Sequence, residues 1–190
     1  GGKGLIVLNS SEKSYLKFVK FSGLNAPSKI SLSIMGAINF YNSPVLIEDS
    51  IFENIYSEDA LNIIRSEFEI KNTVFKNVSS DAFDSDFSIG SVSDSKFYNI
   101  GNDAIDVSGS LVKVISTSVD NSGDKAISVG ERSNLQADDL KINNSNIGIA
   151  SKDLSSVKII NLDIKNTKTC FVAFQKKPEY GPGSIEIKTT

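Results

Sequence analysis

The chain repeats itself every 22 or 23 residues, and this period constrains its fold more than any other feature. The stretches "SEDALNIIRS", "SSDAFDSDFS" and "GNDAIDVSGS" are one unit written three times, its Asp-Ala-apolar core starting at Asp59, Asp81 and Asp103. The unit weakens to Lys125-Ala-Ile and Ile147-Gly-Ile, and "GAINF" from Gly36 precedes the series. A second column runs through Asn54, Asn77, Asn99, Asn121, Asn144 and Asn166, each two positions after Phe52, Phe75, Phe97, Val119, Ile142 and Ile164. Ser66, Ser88, Ser110, Ser133 and Ser155 form a third.

Inside a repeat, apolar and polar residues alternate, as in "VLIEDSIF", and no segment keeps a helical period over a helix length. Short strands joined at Asn, Ser, Asp and Gly fit a coil of parallel strands whose turns stack about 4.8 Å apart. Inward side chains then pile up along the axis, which accounts for the Phe column. Asn tolerates left-handed backbone and hydrogen-bonds its counterpart one turn away, which accounts for the Asn column as a ladder at a tight turn. The expected fold is all-β, a single-stranded right-handed parallel β-helix, its hand taken from the general bias of parallel crossovers. A β-sandwich needs frequent hairpin turns and would not produce three ladders in one register.

The period predicts six coils from Gly36 onward, with "YLKFVKFSGLN" as an earlier one and an excursion through "APSKISLSIM" between them. Residues 175–190 break the period and are expected either to cap the stack or to mark a boundary. The whole of 1–190 reads as one domain. Its start, "GGKGLIVLNS", lacks the charged leader and cleavage pattern of a signal peptide, so adjoining domains of a longer polypeptide are expected as partners.

A net charge of -3 argues against nucleic acid as a partner, because phosphate binding needs a clustered basic excess. No apolar run approaches the roughly 20 residues that span a bilayer, so no membrane insertion is expected. The chain has no histidine, which removes the common zinc sites, and a single cysteine, Cys170, which removes a disulfide framework. Cys170 falls where the pattern asks for an apolar residue, so a buried, inert thiol is expected.

Strand parity nominates a site. With Ile105 and Val107 inward, Ala104, Asp106 and Ser108 point outward. The same register turns out Ala60, Ala82, Ala126 and Gly148, an expected small-residue floor for a shallow groove. Beside it run Asn62, Asp84, Asp106, Ser128 and Ala150, with Asp86 adjacent. Such a strip suits an extended polymer better than a compact cofactor. Asp84 and Asp106 should sit one above the other at one strand spacing. Two carboxyls that close disfavour double ionisation, so one titrates high or a cation bridges them. That pair fits retaining glycoside hydrolysis. With Asp86 it also fits a hard cation such as Ca2+ on oxygen ligands, the single cofactor weighed. Plain solvated aspartates are the alternative. Asp59, Asp81 and Asp103 recur identically, which points to a turn ladder more than to catalysis. Lys125, Glu131, Arg132, Lys152 and Asp153, with Lys176 and Lys177, then change the polarity of the face. Lysines there can deprotonate a sugar ring carbon, as in uronate lyase or epimerase chemistry, bind a uronate carboxylate, or bridge to acids. Tyr41, Tyr56, Tyr98 and Tyr180 form no visible sugar-stacking platform.

The repeats resemble those of the pectin lyase-like right-handed β-helix superfamily over nearly the whole chain. Within it, polygalacturonase-type glycoside hydrolases carry Asn-Thr-Asp-Gly, Asp-Asp, Gly-His-Gly and Arg-Ile-Lys on successive coils. "SSDAFD" resembles the first, placing Asp81 at a catalytic aspartate. "GNDAID" resembles the second, with Asn102 in place of one aspartate and Asp103 retaining the other. "DKAISVG" resembles the third with Lys125 where that family has histidine, and "IASKD" offers Lys152 near the fourth. The resemblance implies an extracellular or envelope module that binds or processes an acidic polysaccharide. The catalytic candidates are then Asp84, Asp106 and Asp81, with Asn62, Asp86, Asp103, Lys125, Ser128, Glu131 and Lys152 on substrate. A non-catalytic spacer and a cation-stabilised adhesion module are the alternatives.

Overall fold

The computed structural model describes residues 2–26 and 35–188, and the excursion read within 26–35 falls largely outside them. Every strand pairing in it is parallel, and no helix is present among the described residues. The chain is a β-solenoid of about 8 turns with coils of about 22 residues. One coil shows the plan: strands Asp59–Ile64, Glu67–Lys71 and Val74–Val78 form three faces, and Asp81 begins the next coil. The first face is an eight-stranded sheet, Leu5–Leu8, Gly36–Tyr41, Asp59–Ile64, Asp81–Asp86, Ile105–Ser108, Lys125–Gly130, Ile147–Lys152 and Thr169–Phe174. The second and third faces join where Leu111–Ser122 runs through their shared corner, bending at Ser116 with φ 46°.

The columns seen in the sequence are the corner and core chemistry of this solenoid. Asn54, Asn77, Asn99, Asn121, Asn144 and Asn166 all have left-handed backbone. Asn77 donates to Asn54 at 3.2 Å, Asn99 to Asn77 at 3.1 Å and Asn121 to Asn99 at 3.0 Å. The ladder then shifts by one column: Asn144 donates to Asp120 and Asn166 to Asn143. At the corner after the first face, each buried Ser hydroxyl accepts the N–H of the previous coil's Ser, Ser66 to Ser88 at 3.0 Å and Ser88 to Ser110 at 2.8 Å. The same hydroxyls donate to a carbonyl two residues back, so corner groups that no strand can pair are satisfied. Inside, Phe52, Phe75 and Phe97 stack with ring centroids 4.6 and 4.7 Å apart.

Two expectations fail here. Ala60, Ala82, Ala104 and Ala126 are wholly buried, so they do not floor an external groove. The chain bends at Ala104, and the ladder skips Ala60, Ala82 and Ala126 between paired neighbours, so simple alternation breaks at this column. The column points into the corner against the third face, since a Cβ on Gly148 would meet Ile164 Cδ1 at 2.4 Å. Small residues stand there because the stacked rings and their aliphatic successors already fill the space. Cys170, in register with Gly148, is exposed rather than buried. Thr169–Phe174 is the last strand of its sheet, and no further described strand covers its inward positions, so Phe171 is also 37% exposed. Farther on, Ser184–Lys188 pairs in parallel with Ser156–Ile160 and extends the second face by one rung. The loop before it is held where Asp153 accepts the N–H groups of Lys176 and Lys177.

Candidate functional site

Three polar columns stand on the outer side of the first face, because parity and the entry bend leave positions one, four and six of each strand there. Position four runs Asn39, Asn62, Asp84, Asp106, Ser128, Ala150, and these residues are register partners from rung to rung. Asp84 and Asp106 are therefore vertical neighbours, as the sequence requires. Position six runs Tyr41, Ile64, Asp86, Ser108 and Gly130, and Lys152 holds the sixth place of its own strand. Position one runs Gly36, Asp59, Asp81, Asp103, Lys125 and Ile147.

Hydrogen bonds lace the columns together. Asn62 Nδ2 donates to Asp59 Oδ2 at 3.1 Å and to Asp84 Oδ2 at 3.2 Å, reaching across one strand and up one rung. Asp81 Oδ1 accepts the Asp103 N–H at 2.8 Å and the Asn102 amide at 2.7 Å. Asp103 Oδ1 accepts the Lys125 N–H at 2.9 Å. These bonds are the ladder that identical aspartates on three coils suggest. Lys125 Nζ lies 3.4 Å from Asp103 and also pairs with Asp124. Lys152, 8% exposed, folds back so that its Nζ donates to Ser128 Oγ at 2.8 Å. Glu131 alone stands off the strip, at the corner, where it pairs with Lys177.

Carboxyl groups so close together and so little hydrated resist ionisation. Burial, then the neighbouring Asp81, raises Asp59 to about 7, against the pull of Asn62. Burial and Asp106 raise Asp103 to about 6, partly offset by Lys125. Burial lifts Asp81 against its two hydrogen bonds. Burial followed by the charges of Asp86, Asp59 and Asp106 lifts Asp84 well above the carboxylate range. Asp86 rises through burial and Asp106. Lys125 is raised despite its burial, because Asp124 and Asp103 stabilise its charge.

The structure thus brings together Asn62, Asp81, Asp84, Asp86, Asp103, Asp106, Lys125, Ser128 and Lys152. It also adds Asp59, which sequence reasoning placed in the ladder only. Its column was visible, but its burial was not. A protonated Asp84 can give a proton to a leaving group, while Asp106 one rung away offers a second carboxyl at about the 5 Å separation used in retaining glycoside hydrolysis. Among the described residues no group of three or more carboxylates is arranged to hold a metal ion, so the calcium reading at Asp84, Asp86 and Asp106 has no ready-made cage. No helix among the described residues is long and apolar enough to cross a membrane.

No protein-family model matches the chain, and no curated protein does. Among solved structures it is similar to the catalytic domain of a GH87 alpha-1,3-glucanase in complex with tetrasaccharides, at 9% sequence identity and a TM-score of 0.28. That alignment takes in 99% of this chain, which spans 64% of the glucanase chain.

Proposed function

We propose that the outer side of the first face binds a polysaccharide and acts on it through the Asp84–Asp106 pair, in an extracellular or envelope setting. The observation that carries this reading is the pair itself: two carboxyls on adjacent rungs of one sheet, with Asp84 pushed up by burial and by the charges of Asp86 and Asp59. A solenoid face is long and shallow, which suits a polymer lying across several rungs. Asp84 serves as general acid and Asp106 as the partner carboxyl, with Asn62 and Asp86 on substrate hydroxyls, while Ser128 is buried beneath the Lys152 ammonium. Asp81 and Asp103 hold the rungs in register. The sequence pointed to an acidic polymer through Lys125 and Lys152. Both ammonium groups are already engaged by neighbours and face six carboxyls, which favours a neutral glycan instead.

A panel of neutral and uronic oligosaccharides, read for binding and for turnover, tests this. Asp84→Asn and Asp106→Asn should abolish turnover without lowering the melting temperature. Turnover that survives both changes refutes the assignment. The bonds from Asp81 and Asp103 to the next coil favour a non-catalytic spacer as the second reading, and a panel with no binder would support it. A melting temperature that climbs with added Ca2+ would favour the adhesion reading.

A further inference from the structure

Seven of the eight first-face strands are followed directly by a corner residue with left-handed backbone: Asn9, Asn42, Arg65, Phe87, Gly109, Glu131 and Asp153. Asn and Gly adopt that conformation readily, whereas a bulky aromatic is an outlier there. Phe87, at φ 51°, does not recover the strain by joining the core, because it remains 57% exposed. Its ring lies on bare backbone one rung on, where a Cβ at Gly109 would come within 2.6 Å of Phe87 Cδ1. Phe18 shares this strain and exposure away from the first face, so it is the place of Phe87 beside the carboxyl strip, together with the strain, that points to a ligand.

The surroundings of Phe87 define the ligand. It directly follows Asp86, so the ring borders the carboxyl strip. With Arg65, Ser66, Glu67 and Ile89 it lines a hollow of about 210 Å³, smaller than pockets for drug-sized molecules and on the scale of one sugar ring. The same rim carries other flat groups. The Arg65 guanidinium lies 6.0 Å from the Tyr41 ring centroid and donates to its hydroxyl, and Arg132 lies 5.3 Å from that of Tyr180. An apolar plate flanked by Arg65 and Glu67, with Asp86 next to it along the chain, matches a pyranose, which presents a C–H face and a girdle of hydroxyls.

The geometry points to Phe87 as the stacking platform for one sugar ring of the bound polysaccharide, with that ring's hydroxyls reaching Asp86 and Arg65. This rests on the polysaccharide reading above and adds a binding residue outside the carboxyl columns.

The chain contains no tryptophan, so Phe87→Trp introduces a single indole emitter. Titrated with an oligosaccharide that the wild type binds in the panel, its emission should shift to the blue and saturate at the wild-type affinity. Phe87→Ala should weaken binding about tenfold, and Phe87→Tyr should restore it. Phe18→Ala is the control, since Phe18 is equally left-handed and 80% exposed but stands between the second and third faces. Wild-type affinity in Phe87→Ala, alongside lost turnover in Asp84→Asn, overturns the platform and leaves the polysaccharide reading standing. If Phe87→Ala does not fold, an emission that ignores saturating oligosaccharide overturns it equally. A wild type that binds no glycan overturns both.

Discussion

Asp59 gives the sharpest test of the electrostatics that underlie the proposed chemistry. The side chain is 2% exposed, and its carboxyl is raised from 3.8 to about 7, chiefly by burial and secondly by Asp81. A raised folded-state value means the folded chain holds a proton that the unfolded chain has released at any pH between those two. The stabilisation from that proton is complete below 3.8 and disappears as pH climbs through about 7. At about 1.4 kcal/mol per pH unit, the full swing is at most about 4 kcal/mol. Asp59→Asn keeps the shape and the hydrogen bond from Asn62 but has no charge to bury. It should leave stability unchanged at pH 4 and raise it at pH 8, by up to about 10 °C in melting temperature for a chain of this length. Melts followed by circular dichroism at pH 4, 6 and 8 would read the difference directly. Wild type should itself be more stable at pH 5 than at pH 8, because Asp103, raised to about 6, acts in the same direction. An equal effect of Asp59→Asn at pH 4 and pH 8, or a wild type that loses stability between pH 8 and pH 5, would refute this account of the carboxyl cluster.

Phe75→Ala removes the middle ring of the internal stack, wholly buried between Phe52 and Phe97, and should cost about 3–5 kcal/mol in chemical denaturation. Asn77, at φ 54°, both donates to Asn54 and accepts from Asn99. Asn77→Ala should therefore lose about 1–2 kcal/mol, and Asn77→Gly less, because glycine keeps the backbone while losing only the ladder. Equal losses would show that the conformation contributes nothing. Lys125→Met takes away the ammonium group nearest Asp103, so a carboxyl-carbon NMR titration should find Asp103 above its wild-type midpoint of about 6.

What the sequence revealed and what it hid divide along one physical line. Stacking in register multiplies any local preference by the number of coils, so Asn54 through Asn121, the Ser66–Ser133 corner and the Phe52–Phe97 stack were all readable as columns before any coordinate. Parity also put Asp84 directly beneath Asp106. It misplaced Ala60, Ala82, Ala104 and Ala126, because alternation holds only while backbone stays extended, and the bend entering the first face is a property of the corner. It misplaced Cys170 because burial in a solenoid depends on the next coil as much as on the residue's own position.

The same logic explains why the candidate site was harder to see than the fold. A ladder and a cluster use the same residue type in the same column, and what separates them is which oxygen atoms the backbone already occupies. Asp81 and Asp103 each commit an oxygen to the N–H of the next coil, whereas Asp84 accepts from the Asn62 amide and Asp106 from the N–H of Val107 in its own strand. Commitment to the next coil, more than repetition, therefore separates the aspartates that align rungs from the candidates for chemistry. Both columns repeat in part: position one keeps Asp59, Asp81 and Asp103, and position four keeps Asn39 and Asn62, then Asp84 and Asp106. Phe87 stands out by residue type instead, as the one aromatic in a corner column where Asn42 and Gly109 show what the backbone itself prefers.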